Sequence, residues 1–204
     1  MSTPEAIPQG RGRRQLLLLF ALFLLPPVAA WLAWQYLGDA GVESTTNAGT
    51  LVSPARPLSA SGLQLGDGTQ LTDGDLRGFW TYVVFAPDGC AEICKQQLYL
   101  TRQVRIAMNK DIGRVQRLLV LGKMPAPEFA QHLASEHPDL RWVVSGAGAE
   151  ATLATFRGER FGPTGAQYFL LDPLGNLMMF YDLEVAAKGM MRDLQKLLKI
   201  SQIG

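Results

Sequence analysis

The chain has 204 residues, of which 48% are apolar and 18% charged, and 19 Lys and Arg stand against 18 Asp and Glu for a formal net charge of +1. That length gives one ordinary domain with extras, the apolar share excludes a disordered or collagen-like chain, and near-neutrality leaves no electrostatic footprint for nucleic acid. Two Cys and two His are too few for a zinc ribbon, a multi-disulfide scaffold or an all-histidine metal cage.

The first element in chain order is apolar. Residues 16–34 read LLLLFALFLLPPVAAWLAW, without a charge. At about 1.5 Å per helical residue this spans a bilayer core of about 30 Å. Trp31, Trp34 and Tyr36 gather at its C-terminal end, where an aromatic belt meets the membrane interface. Pro26 and Pro27 predict a kink. Arg11, Arg13 and Arg14 precede the span, and Asp39 and Glu43 follow it. The excess of basic residues on the N-terminal side predicts a single pass through the inner (plasma) membrane, with a cytoplasmic N-terminus and a periplasmic, extracytoplasmic remainder. A cleaved signal peptide would end near Val28-Ala29-Ala30, but the apolar stretch runs on past Ala30, which favours an anchor. Residues 1–14 are then a short cytoplasmic segment, 15–37 the transmembrane anchor, 38–60 a linker rich in Gly, Ser, Thr, Pro and Asn, and 61–204 the exported domain. The linker ends in an extended stretch around residues 51–58.

Within the domain, residues 63–71 alternate about a Gly-Asp-Gly turn and predict a β-hairpin. Residues 79–85 (FWTYVVF) are aromatic and β-branched, the composition of a buried strand. A helix is predicted over 94–108, a strand over 115–121, a helix over 125–136, a strand over 140–144 and a short helix over 150–156. Strands at 168–171 and 177–181 flank the turn Asp172-Pro173-Leu174-Gly175, and an amphipathic helix closes the chain over 185–200, with Met190, Leu194, Leu197 and Leu198 on one face. Alternating strands and helices with a closing antiparallel pair predict an α/β fold: a thioredoxin-like three-layer sandwich preceded by one N-terminal transmembrane helix. A doubly wound fold would need a further parallel strand where this chain has the closing pair.

Both cysteines lie in Cys90-Ala91-Glu92-Ile93-Cys94, directly after the buried strand and at the start of a helix. Residues four apart on a helix have Cα atoms about 6 Å apart, within reach of a disulfide. The positive helix N-terminus favours thiolate over thiol. Lys95 assists it, and Asp88 and Glu92 oppose it. The pair can therefore switch between dithiol and disulfide, and two thiolates also make a soft site suited to Cu(I). A purely structural bridge would close so small a loop that its stabilisation would be modest. His132 and His137 fall in the 125–136 helix and its end, and are read as a solvated helical face. Met178, Met179, Met190 and Met191 are read as packing residues.

Phe79-Trp80 with TYVVF, the run Ala86-Pro87-Asp88-Gly89-Cys90-Ala91-Glu92-Ile93-Cys94, and Tyr168-Phe169-Leu170-Leu171-Asp172-Pro173-Leu174-Gly175 resemble the Sco/SenC family. The resemblance covers roughly residues 60–200 and the N-terminal anchor. It implies a thioredoxin-like copper protein that assists cytochrome c oxidase assembly, delivering copper to the binuclear site of subunit II or reducing that site's cysteines. The chain departs from the family at Lys95, where a proline is usual, and near Thr164, where the family's copper-ligand histidine would fall. Pro163-Thr164 also resembles the Pro-Thr pair of thioredoxins, in which the proline is cis and faces the active cysteines.

The missing nitrogen ligand favours thiol–disulfide exchange, with Cys90 as attacking thiolate and Cys94 as resolving thiol, acting on subunit II or another exported copper protein. The alternatives are a Cu(I) chaperone using the Cys90 and Cys94 thiolates alone and a scaffold that keeps the fold without chemistry.

Overall fold

Seven residues, WTYVVFA, form strand β3 (Trp80–Ala86), and every one of them is buried. A strand buried on both faces belongs in the middle of a sheet, and β3 lies between a parallel neighbour and an antiparallel one. The computed structural model describes residues 9–37 and 46–201. It divides into two compact units, 1–46 and 47–204.

In the first unit, helix α1 (Gln9–Leu37) runs unbroken through Pro26 and Pro27. Its stretch Gly12–Ala33 is long and apolar enough to cross a membrane, and its side chains are exposed. Trp31 is exposed. The side chains of Trp34 and Tyr36, the residues before Gln9 and those at 38–45 lie outside the described residues.

The second unit is a seven-stranded sheet in the order β1-β7-β6-β3-β4-β5-β2. It comprises β1 (Thr50–Pro57), β2 (Leu63–Leu65), β3, β4 (Val115–Leu121), β5 (Leu140–Ser145), β6 (Gln167–Leu171) and β7 (Asn176–Asp182). Strands β3, β4 and β5 are parallel. The crossovers between them carry α2 (Glu92–Ala107) and α3 (Pro127–Glu136). After α4 (Glu150–Thr155), β6 and β7 pair antiparallel, and α5 (Ala187–Ile200) closes the chain. The competing doubly wound order is thereby excluded.

Alternation along β3 splits the core in two. Trp80, Tyr82, Val84 and Ala86 face a cluster with Leu98 and Val104 of α2, Leu133 of α3, and Met190, Leu194 and Leu198 of α5. Val83 and Phe85 face the other side, where Phe156, Phe169 and Phe180 meet Leu58, Leu63 and Leu76. Helices on one face and α4 with its flanking loops on the other make three layers.

Two sequence expectations are corrected here. The extended stretch read as the end of a linker is strand β1, paired antiparallel with β7. Asp193 of α5 accepts the backbone N–H groups of Ala48 (2.8 Å) and Gly49 (2.9 Å), so the domain is tied down from its first residues, well before residue 61. The predicted hairpin is also shorter than expected. β2 pairs with β5, and its own partner segment contributes one bridge, Gln64 to Gln70.

His137 departs from the expected solvated face. His132 is exposed, but His137 caps the C-terminal end of α3 and is buried, with Nδ1 unpartnered among the described residues. Burial, then the positive charges of Arg117, Arg102 and His132, hold its pKa below the ordinary histidine value, with Asp139 opposing. Between that lowered value and about 6.5, the unfolded chain binds a proton that the fold refuses, so stability falls as pH drops through this window. Urea midpoints at pH 7.5 and 5.5 should show the loss, and His137→Leu should shrink it.

Candidate redox site

The site is built at the C-terminal end of β3. The strand ends at Ala86, and the Pro87-Asp88-Gly89 turn is closed by a hydrogen bond from Gly89 N–H to the Ala86 carbonyl at 3.2 Å. Gly89 takes a φ of +109°, a conformation that glycine adopts without strain. Beneath the turn, Gly122 donates its N–H to the Ala86 carbonyl at 3.3 Å. A Cβ at Gly122 would run into the Pro87 carbonyl oxygen, so the end of β4 passes this closely only as glycine.

Ala91 is the N-cap of α2. Cys90 therefore sits in the loop just before the helix, and Cys94 in its first turn. The two form a disulfide with Cα atoms 5.0 Å apart. Their environments differ: Cys90 is half-buried, whereas Cys94 is 6% exposed and belongs to the core cluster around Leu98. The Lys95–Glu92 pair is exposed, with its charges 3.8 Å apart. Such a pair is weak and screened, and the backbone N–H groups at the start of α2 add a positive field beside Cys90.

Open depressions flank the disulfide. One, of about 250 Å³, runs past Cys94 between the Pro87–Gly89 turn, Ile93 and residues 164–166. The other, of about 340 Å³, lies beside Cys90 and is lined by Lys95, Lys123, Met124 and Phe129. Ile93 and Met124 are 53% and 62% exposed, which puts large apolar side chains on both sides of the bridge.

The loop facing Cys94 is held by Gln167. Its Oε1 accepts the Gly162 N–H at 3.0 Å, and its Nε2 donates to the Arg160 carbonyl at 3.0 Å and to Asp182 Oδ1 at 2.7 Å. Gly165 has a φ of +86°, and a Cβ there would lie 2.9 Å from the Phe85 carbonyl oxygen. The loop is thus pressed against the end of β3. Thr164 lines the Cys94 depression, at the place where the resemblance expects a histidine. The expectation of a cis proline is not met: among the described residues the cis peptide bond is Ser53–Pro54, and Gly162–Pro163 is trans.

Sulfur chemistry is concentrated here and nitrogen ligands are elsewhere. Neither His132 nor His137 lines either depression. Among the described residues no three His, Cys, Asp or Glu side chains form a group that could hold a metal ion. Met179 and Met190 are in the core, and Met178 and Met191 pack against it. The sequence reading missed Met124, Gln97 and Gln167. Met124 carries no periodic signal, standing in the loop between β4 and α3. Gln97 could have been found, because a polar residue between Cys94 and Leu98 on the buried face of α2 breaks the apolar pattern.

A family model described as transmembrane-like, thioredoxin-like, C-terminal domain matches residues 80–201. Among solved structures, the chain is similar to copper-bound ScoI of Bradyrhizobium japonicum, at 21% identity and a TM-score of 0.52 over 68% of this chain and 98% of that one. It is similar to copper-bound yeast Sco1 at 17% identity and a TM-score of 0.57, over 71% of this chain and 94% of that one. Apo Sco1 of Thermus thermophilus gives 21% identity and a TM-score of 0.59, over 76% of this chain and 99% of that one. At these identities the likeness concerns the fold, and at that level the Sco/SenC resemblance and the thioredoxin-like sandwich are borne out. No curated protein matches the chain.

Proposed function

We propose that this chain, which belongs to the transmembrane-like, thioredoxin-like family, is a membrane-anchored, Sco-like assembly factor that works by thiol–disulfide exchange through Cys90 and Cys94. The observation that carries this reading is the unequal disulfide at the mouth of the fold, one sulfur half-buried before a helix and the other buried in its first turn. In the reduced form, the Cys90 thiolate attacks a disulfide in the partner, and one partner sulfur leaves as a thiolate that takes up a proton. Cys94 then attacks Cys90 Sγ in the mixed disulfide and restores the bridge seen here, and the second partner sulfur is released. The partner gains two electrons and two protons, and this chain loses them.

Helix α1 supplies the anchor, and Arg11, Arg13 and Arg14, which precede its apolar stretch, favour an extracytoplasmic domain by the excess of basic residues on the N-terminal side. The partner class is an exported copper protein with paired cysteines, in the first instance the copper-site domain of cytochrome c oxidase subunit II. The apolar Ile93 and Met124 beside the bridge, with Lys95 and Lys123, suit a partner surface that is apolar with acidic residues nearby. The test is trapping. Full-length Cys94→Ser in detergent, mixed with the subunit II domain carrying an oxidised cysteine pair, should form a covalent adduct that dithiothreitol dissolves and Cys90→Ser abolishes. No adduct, with a bridge that resists reduction, would sink the reading.

A second reading has its own observation. The reduced pair is a soft donor set, and Met124, a thioether residue, lines the same depression as Cys90, which suits Cu(I) as cargo. Anaerobic titration of the full-length reduced chain with Cu(I) against a competing chelator decides it: one-to-one binding lost in Cys90→Ala supports the chaperone. A chain that fails both tests is a scaffold.

A further inference from the structure

Gln97 is fully buried in α2, one helical turn beyond Cys94. Its Nε2 donates to the Gln167 carbonyl at 3.2 Å. That bond fixes which end of the amide is which, because the reversed amide would set two oxygens against each other. The Oε1 atom is buried and has no hydrogen-bond partner among the described residues. A buried carbonyl without a donor is costly, and it calls for an explanation.

The neighbourhood provides one. Long helical side chains lean toward the helix N-terminus, over the turn that precedes them, which for Gln97 is the turn that carries Cys94. Its one anchor, Gln167, directly follows residues 164–166, which line the depression at Cys94. The amide thus bonds the strand that continues the loop facing Cys94, from one turn further along the helix that carries that sulfur. In the disulfide, Cys94 has no hydrogen to donate. In the dithiol it has one, in a place closed to solvent.

Resting on the exchange reading above, we infer that Gln97 is a positioning residue for the reduced state: its Oε1 accepts the Cys94 S–H when the bridge opens. The opening is a balanced exchange with a dithiol partner. A partner thiolate attacks Cys90 Sγ, the Cys90–Cys94 bond breaks, and Cys94 leaves as a thiolate that takes up a proton. The second partner thiolate attacks the mixed disulfide and releases Cys90, and the partner departs as a disulfide. The new Cys94 S–H then meets the idle acceptor. Gln97 therefore favours the dithiol over the disulfide. The Nε2 bond to Gln167 is present in both states and cancels from the equilibrium.

The test uses the full-length chain in detergent, equilibrated with mixtures of reduced and oxidised dithiothreitol. Gln97→Met keeps the length and removes the acceptor. It should shift the equilibrium toward the disulfide by roughly two- to tenfold, the range of one net hydrogen bond. A role confined to packing would lower the melting temperature of both forms and leave their ratio alone. The second readout needs no substitution at Gln97. In Cys90→Ala, the S–H stretching band of Cys94 should lie at the lowered frequency of a hydrogen-bonded thiol. An unchanged equilibrium in a folded Gln97→Met chain, or a free-thiol band in Cys90→Ala, overturns the inference. A bridge that does not equilibrate with dithiols at all overturns the exchange reading instead.

Discussion

Asp139→Ala is expected to lower the stability of the domain by about 3 kcal/mol, the lower end of the range for stranding one partner of a buried ion pair. Arg117 is the third residue of the central strand β4 and is 1% exposed. Its guanidinium meets Asp139 through two hydrogen bonds, Nε to Oδ2 at 2.9 Å and Nη2 to Oδ1 at 3.0 Å, while Nη1 donates to the Leu98 carbonyl at 2.9 Å. The planar fork of arginine suits this bidentate geometry. Removing Asp139 leaves the Leu98 carbonyl and the more distant Thr101 hydroxyl as Arg117's acceptors, with no other carboxylate paired to it among the described residues. The lower end of the range applies because the Asp139 side chain is 23% exposed, so water reaches the gap. Urea denaturation should show a lower midpoint with an unchanged slope. Arg117→Met combined with Asp139→Leu should recover most of the loss, since apolar replacements of a buried pair are often neutral.

The same pair fixes the sign of a pH effect. Burial raises the pKa of Asp139, but the hydrogen bond and charge of Arg117 outweigh it and hold the value below the ordinary aspartate range. The folded chain thus keeps its carboxylate where the unfolded one protonates. This contribution is present above about 3.8 and lost as pH falls through the folded value. It adds at lower pH to the loss that His137 begins below 6.5.

Elements with a periodic signature were legible in the sequence, and elements completed by a distant partner were not. Strand β3 could be read from FWTYVVF and β4 from its apolar run, and the buried face of α5 followed from Met190, Leu194 and Leu198 at helical spacing. Strand β1 was blurred because it lies at the edge of the sheet: its exposed residues and its Pro54 resemble a linker until β7 and Asp193 supply partners. Arg117 shows the same limit from inside. A lone arginine in VQRLLVL reads as an exposed position until Asp139 arrives from the α3–β5 connection. His137 was misplaced because helix periodicity says nothing about the residue just past the helix end, which here turns into the protein. At the site, adjacent cysteines after a buried strand announce their bridge through local spacing. The loop over Cys94, Met124 beside Cys90 and the idle amide of Gln97 come from three separate stretches of chain, brought together only by the sheet.

In the fully reduced chain, one equivalent of iodoacetamide is expected to alkylate Cys90 and spare Cys94. Cys90→Ser is expected to cut exchange to the rate of the uncatalysed reaction. Access and field act together. Cys90 is half-buried beside an open depression lined by Lys95 and Lys123, and α2 begins two residues later. A helix N-terminus stabilises an adjacent anion by about 0.3–1 kcal/mol. That alone gives a preference for the Cys90 thiolate of less than tenfold, so the field is the smaller term. Access decides the rest: Cys94 is 6% exposed and packed in the core with Leu98, where burial disfavours the thiolate and hinders a reagent that enters the depression alongside. Cys94→Ser should therefore keep the first step and lose only release, while Cys90→Ser should lose the first step. Peptide mapping of the singly alkylated protein, with exchange rates for the two serine variants, checks both. Equal labelling of the two sulfurs, or exchange surviving in Cys90→Ser, would reverse the assigned roles and with them the direction in which a partner approaches the bridge.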